Sequence, residues 1–247
     1  MMPIGLSSGC APELDAADLA ALTREHGGSV VDLRAGKDHA WETGGIDALR
    51  AGGVEVCFVG ISSVLGREDD ADGPGPGAAH LREGVPVKVF AAAGCTAAPA
   101  ADLTRRHVAD LVDRVGRPVD LLVETHHGYA DVDELEVLAR TFGVSILLDT
   151  MGLARITDDP VDAAARLAPW TRFAQVKGFD PDLVSTSRHE ALTGASSSLT
   201  RRLIAAAGGV EAITLETRSP TIADDLAAMR SWWGGQLSSH LHKEAGA

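Results

Sequence analysis

Short apolar and β-branched runs alternate along the chain with longer stretches in which Ala and Leu recur every three or four positions. The runs are IGLSS (4–8), SVVDLRA (29–35), VEVCFVGIS (54–62) and VPVKVFAAA (85–93), then DLLVETH (120–126), VSILLDTM (144–151), RFAQVKGF (172–179) and AITLETR (212–218). Their length and composition predict strands. The stretches between them have the helical period and predict helices at roughly 13–26, 44–51, 77–83, 98–115, 131–142, 160–168, 195–207 and 221–233. Start signals support several of these: Thr96 and Pro99 open one helix, and Ser219 and Pro220 another. Glycines in EHGG, RAGG, RVGRP, TFGV and AAGGV mark the stops.

Strand–helix alternation implies a parallel sheet with right-handed crossovers. Eight such units in 247 residues fit a (β/α)8 barrel with short loops, a single α/β domain over 1–247. A doubly wound open sheet is the alternative, disfavoured because no GxGxxG follows the first strand. REDDADGPGPG (67–77) reads as a flexible acidic loop after the third strand, and a short tail begins at about 235. His240 and His242, in that tail, are expected to be solvated.

Charge narrows the partners. Twenty-two basic against 35 acidic residues give a net charge of −13. That disfavours nucleic acid and anionic membrane, both of which need a basic footprint. The N-terminus lacks a basic segment followed by an apolar one, and no apolar run approaches the ~20 residues of a spanning helix. Cys10, Cys57 and Cys95 are odd in number, widely spaced and outside any CxxC pair, which suits a reducing cytoplasm. The expected partner is a small-molecule substrate, and self-association is left open.

In a barrel of this kind, chemistry sits at the C-terminal ends of the strands. The polar residues there are Asp32 and Arg34 on the second strand, Glu124 and His126 on the fifth, and Asp149 on the sixth. Gln175 and Lys177 follow on the seventh, and Glu216 and Arg218 on the eighth. Residues two apart on a strand share a face. Three converging carboxylates repel one another unless a positive charge lies among them. Lys177 and Arg218 meet that need as an ion-pair network. A divalent cation also meets it, and four oxygens suit Mn²⁺ or Mg²⁺ better than Zn²⁺.

LLVETHHG, ILLDTMG, FAQVKGF and ITLETR, in that order, resemble the last four strand motifs of the xylose-isomerase-like TIM barrels. That family includes sugar-phosphate isomerases and epimerases, inosose dehydratases and 3-dehydroshikimate dehydratases. VDLRAGKDHAWE is similar to the end of the family's second strand. The resemblance covers the second half of the chain best, with Asp149 and Gln175 following Glu124 at 25-residue and 26-residue steps and Glu216 after 41 more. It implies one divalent metal, Mn²⁺ or Mg²⁺, on Glu124, Asp149, Gln175 and Glu216. There are departures: Gln175 stands for the family's His, Gly152 for a substrate-binding His, and Gly178 for an Asp.

The resemblance implies an isomerase or epimerase working on a sugar, polyol-derived ketone or related hydroxy-carbonyl through an enediolate. Glu124 and Glu216 would exchange the proton, His126 would shuttle it, and Lys177 would face the oxyanion. Arg34 and Arg218 would anchor the substrate, and His39 and Trp41 would cover it. The alternatives are a metal-dependent dehydratase of a cyclic hydroxy-ketone, and a barrel that has lost catalysis and serves as a binding subunit.

Overall fold

The computed structural model describes residues 1–68 and 75–234. The tail, with His240 and His242, and most of the acidic loop lie outside the described residues. Eight parallel strands close a barrel in sequence order, β8 pairing back onto β1. The strands are β1 Ile4–Ser7, β2 Val30–Arg34, β3 Glu55–Leu65, β4 Val87–Ala91, β5 Leu121–Glu124, β6 Ser145–Asp149, β7 Thr171–Val176 and β8 Ala212–Leu215. The helices are α1 Ala16–Glu25, α2 Trp41–Ala51, α3 Ala100–Val115, α4 Val132–Phe142, α5 Thr150–Ile156, α6 Pro160–Leu167, α7 Ser197–Ala207 and α8 Ile222–Trp233. None of the described helices is long and apolar enough to cross a membrane.

Two elements differ from expectation. The helix expected at 77–83 is a single 3-10 turn, Ala78–His80, because Gly77 and Gly84 both take positive φ and close it off at either end. An extra helix, α5, starts directly on β6. Asp149 ends the strand and accepts the Gly152 N–H at 2.8 Å, capping the helix that follows. The helix starts divide: α3 and α8 begin after Pro99 and Thr221 without a side-chain cap, whereas α4 and α6 are capped. Asp131 and Glu134 form a reciprocal capping box on α4, and Asp159 caps α6 ahead of Pro160.

Packing falls into two layers. The larger apolar cluster lies between barrel and helices and includes Leu6, Leu33, Val59, Val89, Val123, Leu148 and Val176. A second cluster, Val30, Cys57, Phe58, Leu122, Leu147, Phe173 and Ala212, plugs the inside. Strand periodicity then places the polar residues. Two positions beyond the plug stand Asp32, Glu124, Asp149, Gln175 and Thr214. Two positions further stand Arg34, Lys177 and Glu216. The plug shuts the barrel floor, so these side chains can reach water or a ligand only at the C-terminal mouth.

Candidate active site

At the mouth Glu124, Asp149 and Glu216 each face a positive charge from this same chain. Lys88, on β4, meets Glu124 at 2.6 Å. The Lys177 ammonium bridges Asp149 and Glu216, 3.2 Å from the latter. Arg34 Nη1 lies 3.0 Å from the other oxygen of Glu216. Glu124, Asp149, Glu216, Lys88 and Lys177 are all buried, so these pairs are poorly screened. Burial opposes the charge on Lys177, but Asp149, Glu216 and Glu124 outweigh it and push its pKa up. Burial likewise opposes ionisation of Glu216, yet Lys177 and Arg34 bring it down to about 2.

Gln175 turns its amide N–H to Asp32 Oδ2 at 3.2 Å. Asp32 is buried, and its other oxygen has no hydrogen-bond partner. Burial pushes its carboxyl up to about 7, and Glu216 adds to the rise. A carboxyl raised on folding adds stability that is complete below its unfolded value of about 3.8 and is lost as pH climbs toward 7. Asp32→Asn removes that loss. Its melting temperature is expected to exceed that of the unaltered protein at pH 8, with the gap narrowing toward pH 4. Thermal melts across that range check it, and a gap independent of pH would contradict it.

A cavity of about 150 Å³ opens above these groups, lined among others by Arg34, His126, Asp149, Lys177, Glu216 and Arg218. It is far smaller than the ~300–1,000 Å³ of pockets for drug-sized ligands. A second, of about 50 Å³, reaches Asp32, Lys88, Gln175 and Lys177. His126 Nδ1 lies 2.8 Å from the His127 carbonyl oxygen. That oxygen only accepts, so Nδ1 is the donor in this contact, and in the tautomer this selects Nε2 is an acceptor.

Several residues are placed differently from expectation. Trp41 is completely buried in the shell, donating from Nε1 to the Arg34 carbonyl oxygen at 3.3 Å and packing edge-on against His80. It braces the loop after β2 rather than covering a substrate. His39 lines neither cavity; its Nδ1 lies 3.3 Å from Ser8 Oγ. His127 also lines the larger cavity and stacks on His126. Among the lining residues to which the sequence assigned no role are Arg155, His189 and, at the smaller cavity, Lys88. Burial and Lys177 bring His189 down to about 4, so its ring is neutral at neutral pH.

The two glycines that depart from the family pattern are packing requirements. A Cβ on Gly152 would lie 2.0 Å from the Thr125 carbonyl oxygen, and one on Gly178 would lie 2.3 Å from that of Glu190. Gly152→Ala is therefore expected to push α5 off β5 and cost about 1–3 kcal/mol. Urea denaturation measures it; an unchanged midpoint would contradict the close approach.

The four oxygen donors expected for a divalent ion must be weighed against these partners. A ligand oxygen needs a lone pair turned to the metal, yet Glu124 serves Lys88, Asp149 serves Lys177, and Glu216 serves both Lys177 and Arg34. Gln175 directs its N–H to Asp32. Among the described residues no group of three or more His, Cys, Asp or Glu is gathered to hold a metal. An ion on these oxygens would meet the Lys177 ammonium at close range, a repulsion on the order of several kcal/mol. As placed, the side chains do not fit a divalent ion.

No family model matches the sequence, and no curated protein matches it significantly. Solved structures do match. A xylose isomerase domain-containing protein from Salmonella typhimurium LT2 aligns at TM-score 0.66 and 14% identity, covering 94% of each chain. The 3-keto-D-glucoside 4-epimerase YcjR from E. coli aligns at 0.67 and 15%, over 94% of this chain and 100% of that one. The probable 3-DHS dehydratase AsbF from Bacillus anthracis aligns at 0.62 and 14%, over 96% and 100%. The likeness is one of fold: the chain is a (β/α)8 barrel, similar in architecture to these proteins.

Proposed function

We propose that the barrel mouth moves a proton on and off the carbon beside a carbonyl, isomerising or epimerising a small hydroxy-carbonyl of the sugar or polyol class. The observation that carries this reading is Glu216, a buried carboxylate held between Lys177 and Arg34 on the wall of the 150 Å³ cavity. Proton abstraction next to a carbonyl needs a carboxylate base on one side and positive charge where the oxygen gains its electrons. Both stand here side by side.

The low pKa of Glu216 is itself informative. Clamped by two cations, it is a weak base. A substrate oxygen that draws Lys177 or Arg34 toward itself strips Glu216 of counter-charge inside a buried site. Its basicity then rises when a substrate is present to use it. Glu124 remains fixed by Lys88, and His126 offers Nε2 as a relay. Arg218, exposed at the rim, suits a substrate hydroxyl or anionic group.

Incubation in D2O with D-fructose, D-tagatose and L-ribulose, followed by proton NMR, tests the reading: deuterium is expected at the carbon beside the carbonyl. The runner-up, loss of a β-hydroxyl as water, is supported by His126, which lines the same cavity: its Nε2, an acceptor, can take the proton from carbon and then return it to the leaving oxygen. That reaction creates a conjugated product and a rise in ultraviolet absorbance, which epimerisation does not.

A further inference from the structure

We infer that Lys177, with Lys88 beside it, takes the place of the divalent ion, so that this barrel polarises its substrate with ammonium groups and takes up no Mn²⁺ or Mg²⁺ at its mouth. The catalytic half of this inference rests on the proton transfer proposed above; the occupancy half stands on geometry alone.

Three observations carry it. First, Lys177 sits between the carboxylates of two different strands' ends, Asp149 and Glu216, touching both. One ammonium thus bridges two of the four oxygens expected to share a metal. Second, Lys88 occupies a prepared place. A Cβ on Gly60 of β3 would lie 2.9 Å from Lys88 Cε, so glycine there leaves room for the lysine stem. Its ammonium lies 4.0 Å from the centre of the Phe90 ring as well as 2.6 Å from Glu124. Third, the charges balance. Lys88, Lys177 and Arg34 match Glu124, Asp149 and Glu216 one for one. Two further positive charges would have no carboxylate left except Asp32, a single buried acid whose Oδ2 accepts from Gln175 and whose Oδ1 is unpaired.

The chemistry closes without a metal. The C–H bond beside the carbonyl breaks and its proton passes to the Glu216 carboxylate. The electron pair becomes the C=C bond of the enediolate, and the former carbonyl oxygen gains the negative charge. Lys177 donates hydrogen bonds to that oxygen and stays protonated throughout. The proton returns from Glu216 to the same carbon, restoring the carbonyl, or to its neighbour while the adjacent hydroxyl passes its proton to the former carbonyl oxygen and becomes the new carbonyl; no electrons are gained or lost overall. Lysine supplies less charge than a divalent ion, but its three N–H donors are aimed by the carboxylates that hold it.

Protein stripped with EDTA is titrated with MnCl2 by calorimetry, with melting temperatures read in parallel. The expected result is no one-to-one uptake tighter than about 1 mM and no thermal shift. Lys177→Gln, which frees Asp149 and Glu216, is expected to gain one equivalent of Mn²⁺ and a higher melting temperature on adding it. Stoichiometric Mn²⁺ on the unaltered protein overturns the inference, as does a folded Lys177→Gln that gains none. If Lys177→Gln fails to fold, the titration of the unaltered protein decides alone. Deuterium exchange separates the two readings. Exchange that stops with EDTA and returns with Mn²⁺ overturns the ammonium role and upholds proton transfer. Absence of exchange, with no Mn²⁺ uptake, overturns proton transfer and leaves the lysine occupancy standing.

Discussion

Lys177→Met is expected to lower the unfolding free energy by about 3–5 kcal/mol, the cost of leaving buried charge without its partner. Asp149 is fully buried and Glu216 nearly so, and both lose an ammonium at once. Neither can turn to water, because the apolar plug closes the barrel beneath them and α5 is anchored to Asp149 itself. Met restores the volume and none of the charge. Asp149→Asn in the same chain should recover much of the loss, since the neutral amide leaves no unpaired charge buried at that position. Urea denaturation of the two variants measures both effects. Arg166 makes a useful contrast. It pairs with Asp133 and Glu136 on the outer surface, where water already serves the charges, so its removal should barely move the midpoint. A Lys177→Met midpoint equal to that of the unaltered protein would mean that the mouth is hydrated, against the burial described.

Glu216→Gln is the second large effect. The amide fills the same space and can still hydrogen-bond to Arg34, so the fold should persist. It has no basic oxygen to take a proton from carbon. General base catalysis contributes roughly 10²–10⁴-fold, so substrate exchange should fall by about that factor. Binding should fall far less, because Arg34, Lys177 and Arg218 remain. A variant that keeps the rate would move the base elsewhere in the cavity, to His126 or His189.

Much of this was legible along the chain because strand periodicity is unforgiving. A barrel strand that buries Phe173 must bury Gln175 and aim Lys177 at the mouth, and the same spacing delivers Glu124 and Asp149. Lys88 carried the same signal, a charged residue inside VPVKVF, yet was read only as part of a strand. What the sequence could not show was pairing. Nothing in the spacing says that Lys177 would reach both Asp149 and Glu216, or that Gln175 would turn to Asp32, because those contacts depend on barrel closure. His189 and Arg155 lie in irregular or helical segments beyond the strands, where no periodicity points inward. Gly152 and Gly178 read as lost side chains. The structure gives them a steric reason, the close approach of Thr125 and Glu190 backbone, so they no longer argue for a barrel that has lost its chemistry. The same holds for the metal: once the carboxylates have cations of their own, a metal-free protein is no longer the mark of an inactive one.

The most direct test of the account is deuterium wash-in at the carbon beside the carbonyl, followed by NMR on the EDTA-treated protein with D-fructose, D-tagatose and L-ribulose. The account predicts exchange with at least one of them, lost in Glu216→Gln. Exchange with none, or exchange that Glu216→Gln leaves untouched, would contradict it.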